Sequence, residues 1–394
     1  LRLKNSLMHS GKLEKANAID MKVGKIARHN STRLSHLDIH SGTKELWEEV
    51  RRLTSPANPY QLPKAIDSQI LNDHYDSISN DPGYSSPMLK VFVQPPADLV
   101  TEQQVFHLLD KLKHTASGPD NIPAWFLRLA APVFAAPLSH LINISFSSAV
   151  VPMQWKSAVV HPVPKVPNPT LPNDFRPISV VPILSRLAER LLVRDYLTPS
   201  LTNLPQQINL MNQFAYRPTT STTAALISIL SHVSQLLCSN THVFLIAFDY
   251  SKAFDTLSHS SLASKLSNLS IPDCIFNWIL DYLTDRSHTT YIKGSSSSLA
   301  KINASIVQGS VLGPTRFNIN SSELKPLSSD NAYFKYADDS YLIVPSSNAH
   351  TILPEIQHHA SWAAGCNLKF NIAKMFKLCF CNKKIPPPRQ ILGS

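Results

Sequence analysis

The chain has 394 residues, of which 43% are hydrophobic, enough for about two or three domains and a sizeable buried core. Its 37 lysines and arginines outnumber its 27 aspartates and glutamates, and the net charge of +10 suits a polyanionic partner without saying which. No run approaches the roughly eighteen apolar residues of a membrane span, no signal peptide opens the chain, and Cys238, Cys274, Cys366, Cys379 and Cys381 show neither a paired framework nor Cys-x-x-Cys zinc spacing, so an intracellular chain with reduced thiols and no place in a membrane is expected.

Residues 1–98 mix charges of both signs with Ser, Asn, His and Pro. They read as a linker region, partly disordered and loosely packed; a basic RNA-binding arm is the sharper alternative. A helix is expected over 42–53, where Trp47 and Val50 offer a partial apolar face, and Asn80-Asp81-Pro82-Gly83 spells a turn. From Thr101 the pattern tightens. Thr101 with Gln104 is a capping signature for a helix to about residue 114, and helices follow over 124–131 and 137–149. Val159 and Val160 begin a strand, after which the prolines of 162–182 keep the chain extended or looped, or offer a Pro-x-x-Pro docking site. The spacing predicts a helix over 184–196 with Glu189 and Arg190 on its polar side, and another over 222–237. A buried strand is expected over 242–248, then two helices within 260–283 split at Pro272, a hairpin of 289–292 with 300–306, and a helix over 349–364.

Two acidic features carry chemistry. The strand over 242–248 ends in Asp249, at the carboxyl end where sites in sheet proteins form. Farther on, Tyr336-Ala337-Asp338-Asp339 lies between two apolar runs and reads as strand, tight turn, strand, with the acids at the tip. Adjacent carboxylates repel, so they belong in water or beside a cation; a solvated turn is the plain alternative. If the strand lies beside the hairpin, Asp249 and Asp338 can share two Mg²⁺ ions about 3.5–4 Å apart. Lys165 and Arg176 sit in a basic, proline-punctuated stretch and can hold a triphosphate, or can be ordinary surface cations. Arg217, held by Pro218, is a candidate for the same work or for template contact. Gly309 lacks a Cβ and lets backbone approach a base or sugar, while Gln308 can hydrogen-bond nearby.

Six motifs stand in a telling order. Phe248-Asp249-Tyr250-Ser251-Lys252-Ala253-Phe254-Asp255 resembles the first palm motif of reverse transcriptases, Gln308-Gly309-Ser310-Val311-Leu312-Gly313-Pro314 the second, and Tyr336-Ala337-Asp338-Asp339 the third. Asn173-Asp174-Phe175-Arg176-Pro177-Ile178-Ser179 and Asn212-Gln213-Phe214-Ala215-Tyr216-Arg217-Pro218 resemble fingers motifs, and the stretch from Gly365 to Lys374 the fourth palm motif. The spacing resembles that of non-LTR (LINE-type) retrotransposon enzymes. The resemblance implies an α+β fold: a right-hand polymerase palm, with a small antiparallel sheet and flanking helices, plus helical fingers. Fingers and palm would occupy 99–394, with a core of about 145–381.

The resemblance also implies roles. Asp249 and Asp338 would be the main ligands of two Mg²⁺ ions, Mn²⁺ being an alternative, with Asp339 and the Tyr250 backbone carbonyl assisting. Phe254 would block a ribose 2′-hydroxyl and, with Ala337, favour DNA over RNA synthesis. Lys374 would donate a proton to pyrophosphate. RNA template, DNA primer and dNTPs are the implied partners, and nucleus and cytoplasm the implied compartments in a eukaryote. A relic that binds nucleic acid without turnover is the alternative, and an intron-type maturase a third reading.

Two departures qualify the resemblance. Thr315, Arg316, Asn318 and Asn320 replace much of the apolar face expected of the helix after Pro314, so that segment is expected to be rearranged or the copy decayed. Val307 stands where proline is frequent, and Met375 where threonine is. The chain runs from Leu1 to Ser394, so neither a thumb nor an upstream endonuclease is expected within it.

Overall fold

The computed structural model describes residue 21 and residues 66–92, 100–201, 210, 212–217, 220–304 and 308–381. All except the first belong to the unit 62–394. The helix expected over 42–53, Pro218 and Val307 lie outside the described residues.

Helix α1 (Ser68–Ile78) starts at Asp67, whose side chain accepts from the Ile70 amide at 2.8 Å. It buries Leu71 and Tyr75 against Val160 and Phe175. Residues 66–92 were expected in a loose linker; residues 66–78 are packed because these apolar side chains find partners far along the chain, and the unit begins at 62 rather than near 99. The turn at Asp81 forms as expected, with the Gly83 amide donating to Asp81 Oδ1 at 2.9 Å. Helix α2 (Glu102–Asp110) carries the Thr101–Gln104 capping box. Helices α3 (Ala124–Leu129) and α4 (Ala131–Ser148) follow, with Pro137 inside the second.

Strands β1 (Ser157–Pro164) and β2 (Phe175–Val180) pair antiparallel, so the proline-rich stretch contains a strand that its prolines concealed. After helix α5 (Ile183–Leu192) and helix α6 (Thr222–Leu237) comes β3 (His242–Phe248), as expected. Helices α7 (His259–Leu266) and α8 (Asp273–Leu283) lead to β4 (Arg286–Ile292), β5 (Ser295–Ser296) and β6 (Ala300–Ile302). The last elements are α9 (Leu312–Ser321), β7 (Ala332–Tyr336), β8 (Asp339–Pro345), α10 (Ile352–Gly365) and β9 (Phe376–Cys381).

The fold is α+β, with two small sheets. One runs β2-β1-β4-β5, with β6 also on β4; the other is antiparallel in the order β7-β8-β3-β9. Strand β3 is central and buried on both faces, which is why its sequence is a continuous apolar run. Val243 and Leu245 meet Ile229 and Val233 of α6, while Phe244, Ile246 and Phe248 meet the α10 side. A larger helical core gathers Leu109, Ile142, Phe146, Leu187, Leu191 and Trp278. Among the described residues no helix is long and apolar enough to cross a membrane.

The segment after Pro314 forms α9 with Arg316, Asn318 and Asn320 buried; one end of each amide finds a partner, while Asn318 Oδ1 and Asn320 Nδ2 have no hydrogen bond among the described residues. Asn318 Nδ2 donates to the Ala215 carbonyl at 2.9 Å, and Lys265 Nζ donates to Asn320 O and Oδ1 at 2.7 and 3.1 Å. Glu189, expected on a polar surface, is wholly buried and accepts from the Val311 and Leu312 amides at 2.8 and 3.0 Å. A carboxylate thus caps the positive end of α9.

Candidate active site

Strand β3 delivers Asp249, and a second segment fixes its direction. The Asn371 amide donates to the Asp249 carbonyl and the Ser251 amide to the Lys369 carbonyl, both at 2.8 Å, with a bridge between Tyr250 and Phe370. Strands β3 and β8 are in register with Phe248 opposite Ser340, so Asp249 leaves the sheet beside the other acids. Tyr336 pairs with Asp339, leaving Ala337 and Asp338 as a two-residue turn. Ala337 has φ 54°, a left-handed conformation that disfavours a residue with a Cβ by roughly 1–2 kcal/mol.

The electrostatics of the acids are unfavourable without a cation. Burial pushes the Asp338 carboxyl up, and the Asp249 charge adds to this. Asp339 is raised by burial and then by Asp338 and Asp249. Asp249 Oδ2 is buried without a hydrogen-bond partner, and Lys374 Nζ lies 3.6 Å from it. Among the described residues no group of three or more His, Cys, Asp or Glu side chains is arranged to enclose a metal ion. Mg²⁺ is usually held by one or two carboxylates plus substrate phosphates, so a facing pair of acids fits that ion better than a closed cage would.

A cavity of about 350 Å³ opens over these acids. Eight of the residues singled out from the sequence line it: Asp249, Asp338 and Lys374, the cations Lys165 and Arg176, and Tyr250, Phe254 and Gln308. Lys165 Nζ donates to the Asn173 carbonyl at 2.9 Å, and burial lowers its ammonium pKa. Phe254 packs on Phe317 with ring centroids 4.9 Å apart. The Tyr250 side chain has its hydroxyl bonded to His359 Nε2 and its ring stacked on Phe370.

Three expected residues stand elsewhere. Asp339, the most open of the three acids, does not line the cavity. Gly309, at φ 120°, approaches backbone rather than open cavity: a Cβ there would meet the Ser179 carbonyl oxygen at 2.2 Å. Arg217 is spent on local backbone, donating to the carbonyls of Leu210 and of Gln213, the latter at 3.2 Å, and it lines a different cavity with Tyr216, Thr315 and Asn318.

Other residues join the site without having been assigned a role. Asp255 accepts from Gln308 Nε2 at 2.6 Å, and burial pushes its carboxyl up to about 6. Lys252 also lines the cavity and meets His74 Nε2 at 3.1 Å. His74 lies in the stretch read as linker, so no signal in its own neighbourhood pointed here. The stretch Asn212–Phe214, which resembles a fingers motif, instead extends the palm sheet beside β7: the Lys335 amide donates to Asn212 O at 2.7 Å, and Phe214 N to Lys335 O at 2.8 Å.

The sequence pattern of the family "Reverse transcriptase (RNA-dependent DNA polymerase)" matches residues 163–393. Over 302 residues the chain is 26% identical to the RNA-directed DNA polymerase from mobile element jockey of Drosophila melanogaster, covering 73% of this chain and 32% of that protein. It is 29% identical over 286 residues to the probable RNA-directed DNA polymerase from transposon BS of the same fly, covering 68% and 31%. The chain therefore spans about a third of the length of these relatives. A solved structure of telomerase from Candida tropicalis, in complex with a TWJ fragment of telomeric RNA, matches 63% of this chain and 45% of that one at 14% identity, with a TM-score of 0.43.

Proposed function

This chain belongs to the reverse transcriptase (RNA-dependent DNA polymerase) family, and from that premise we propose that its cavity joins deoxynucleotides to a DNA primer 3′-hydroxyl on an RNA template, as in non-LTR retrotransposon enzymes. The observation that carries the reading is one cavity in which Asp249 and Asp338 meet Lys165, Arg176 and Lys374. Carboxylates opposite cations are what a nucleoside triphosphate with its metal ions requires. Asp249 and Asp338, assisted by Asp339 and the Tyr250 carbonyl, would hold two Mg²⁺ ions (Mn²⁺ as a substitute), which when bound supply neutralisation of phosphate charge and a more acidic hydroxyl.

The chain's own residues do the rest. Lys165 and Arg176 bind and orient the triphosphate, the first held by the Asn173 carbonyl, the second as a planar donor fork. Lys374, kept near the acids by Asp249, holds a proton for the departing pyrophosphate. Phe254, braced on Phe317, walls off a ribose 2′-hydroxyl. The same reading keeps the chain intracellular, in nucleus and cytoplasm of a eukaryote.

Primer extension on an RNA template with Mg²⁺ tests this. The chain is expected to incorporate dNTPs and Asp338→Ala to fall to background. Incorporation that survives Asp338→Ala would remove the metal assignment, and none in the unaltered chain would remove the activity.

A further inference from the structure

Gln213 is wholly buried, and its side chain spans two elements far apart in sequence. Its Oε1 accepts from the Ala215 amide at 3.0 Å and from the Ala337 amide at 3.1 Å. Two backbone donors converge on that atom, so it is the carbonyl oxygen and the amide orientation is fixed. Nε2 points the other way and donates to Ser321 Oγ at 3.4 Å. Ala337 is the residue before Asp338, and it holds a left-handed φ of 54° with no glycine to ease it. Nothing in the local sequence of the turn favours that conformation, so it has to be imposed from outside. The backbone of Asn212 and Phe214 clasps Lys335 at the end of β7, and the Gln213 side chain reaches past it to the turn itself. From the opposite side Lys335 Nζ donates to the Ser321 carbonyl at 2.6 Å, which holds β7 still.

We propose that Gln213 is a positioning residue: its buried oxygen holds the left-handed Ala337 and thereby sets the direction in which Asp338 faces the cavity. The proposal rests on the reading of Asp338 as a metal ligand. Gln213 touches neither nucleotide nor ion; it acts through the turn.

The test uses the full chain and two readouts, deuterium exchange of the Ala337 amide and Mn²⁺ affinity by electron paramagnetic resonance. Gln213→Met keeps the length of the side chain and removes the acceptor. It is expected to speed Ala337 exchange at least tenfold and weaken Mn²⁺ binding at least fivefold. Adding Ala337→Gly, which makes the left-handed turn easy, is expected to return at least half of the lost affinity without restoring amide protection. A residue that merely fills space would not be rescued in this way. Exchange within twofold of the unaltered chain overturns the proposal, as does faster exchange with unchanged Mn²⁺ affinity while Asp338→Ala abolishes binding. Mn²⁺ binding that is absent, or indifferent to Asp338→Ala, overturns the metal-ligand reading instead, and exchange alone then decides the role of Gln213. If Gln213→Met does not fold, Gln213→Glu keeps an acceptor oxygen for the Ala215 and Ala337 amides; wild-type exchange in that variant upholds the proposal, and tenfold faster exchange overturns it.

Discussion

Asp255 stands at the inner wall of the cavity, and the proposed chemistry makes no use of its charge. Its carboxyl holds its proton up to about 6, chiefly because burial disfavours the ion; Gln308, Lys165 and Lys252 pull the other way without prevailing. An unfolded aspartate releases its proton near its ordinary 3.8. Between those values the folded chain binds more protons than the unfolded one, so stability falls as pH rises from about 4 to about 6. Above that range the folded chain carries the whole penalty, at most ~3 kcal/mol for a rise from 3.8 to about 6. Asp255→Asn stays neutral and still offers Gln308 an oxygen. It should therefore melt higher than the unaltered chain at pH 7.5, by roughly a few °C, and the two should converge only below the unfolded value of 3.8, at about pH 3. A difference of the same size at both pH values in calorimetry would show that charge is not the cause.

Among the elements, α9 depends on a residue that nothing in its own segment connects with it. Glu189 belongs to α5, yet its carboxylate takes the Val311 and Leu312 amides at the start of α9 and the Tyr282 hydroxyl at 2.9 Å. Removing it leaves four donors, the Ser185 hydroxyl at 3.3 Å among them, without this acceptor, at about 1–3 kcal/mol for each that stays unsatisfied. Glu189→Ala should lower the unfolding free energy in urea by about 3 kcal/mol or more, and Glu189→Gln, which keeps an acceptor, by distinctly less. A loss under about 1 kcal/mol for the alanine variant would mean that the cap does not hold α9. The same residue explains what the sequence could and could not yield. Strand β3 was legible to its ends because both its faces are buried and its apolar run is unbroken. The Asp338 turn was legible because its acids interrupt two apolar runs that both form strands. Glu189 was misread because helical periodicity reports only on the residue's own helix, and its partners lie 122 and 123 residues away. Gln213 was hidden for the same reason, with the turn it supports 124 residues off. Strand β2 was missed because its proline masks it, although Pro177 is accommodated opposite Pro162.

At the scale of the whole molecule, the question is where the folded unit begins. Composition placed the boundary near residue 98, since charges, asparagines and prolines crowd the stretch before it. The contacts place it at 62. Leu71 and Tyr75 of α1 cover Val160 and Phe175, the Thr290 hydroxyl donates to Asn72 Oδ1 at 2.9 Å, and Lys90 exchanges backbone bonds of 2.8 and 2.7 Å with the Asn277 side chain. A chain that starts at residue 99 loses all of these together. It uncovers apolar surface on the sheet that holds Arg176, and it leaves the buried Thr290 and Asn277 without those partners. Losing a single buried leucine contact typically removes 2–5 kcal/mol, so the shorter chain should melt well below a chain that starts at residue 62. It should also lose nucleotide affinity, because Lys252 gives up its His74 contact and β2 its support beside Lys165 and Arg176. Thermal unfolding and nucleotide titration of the two chains decide the matter. Equal melting temperatures would return residues 66–92 to the status of a linker, and equal affinities would detach them from the cavity.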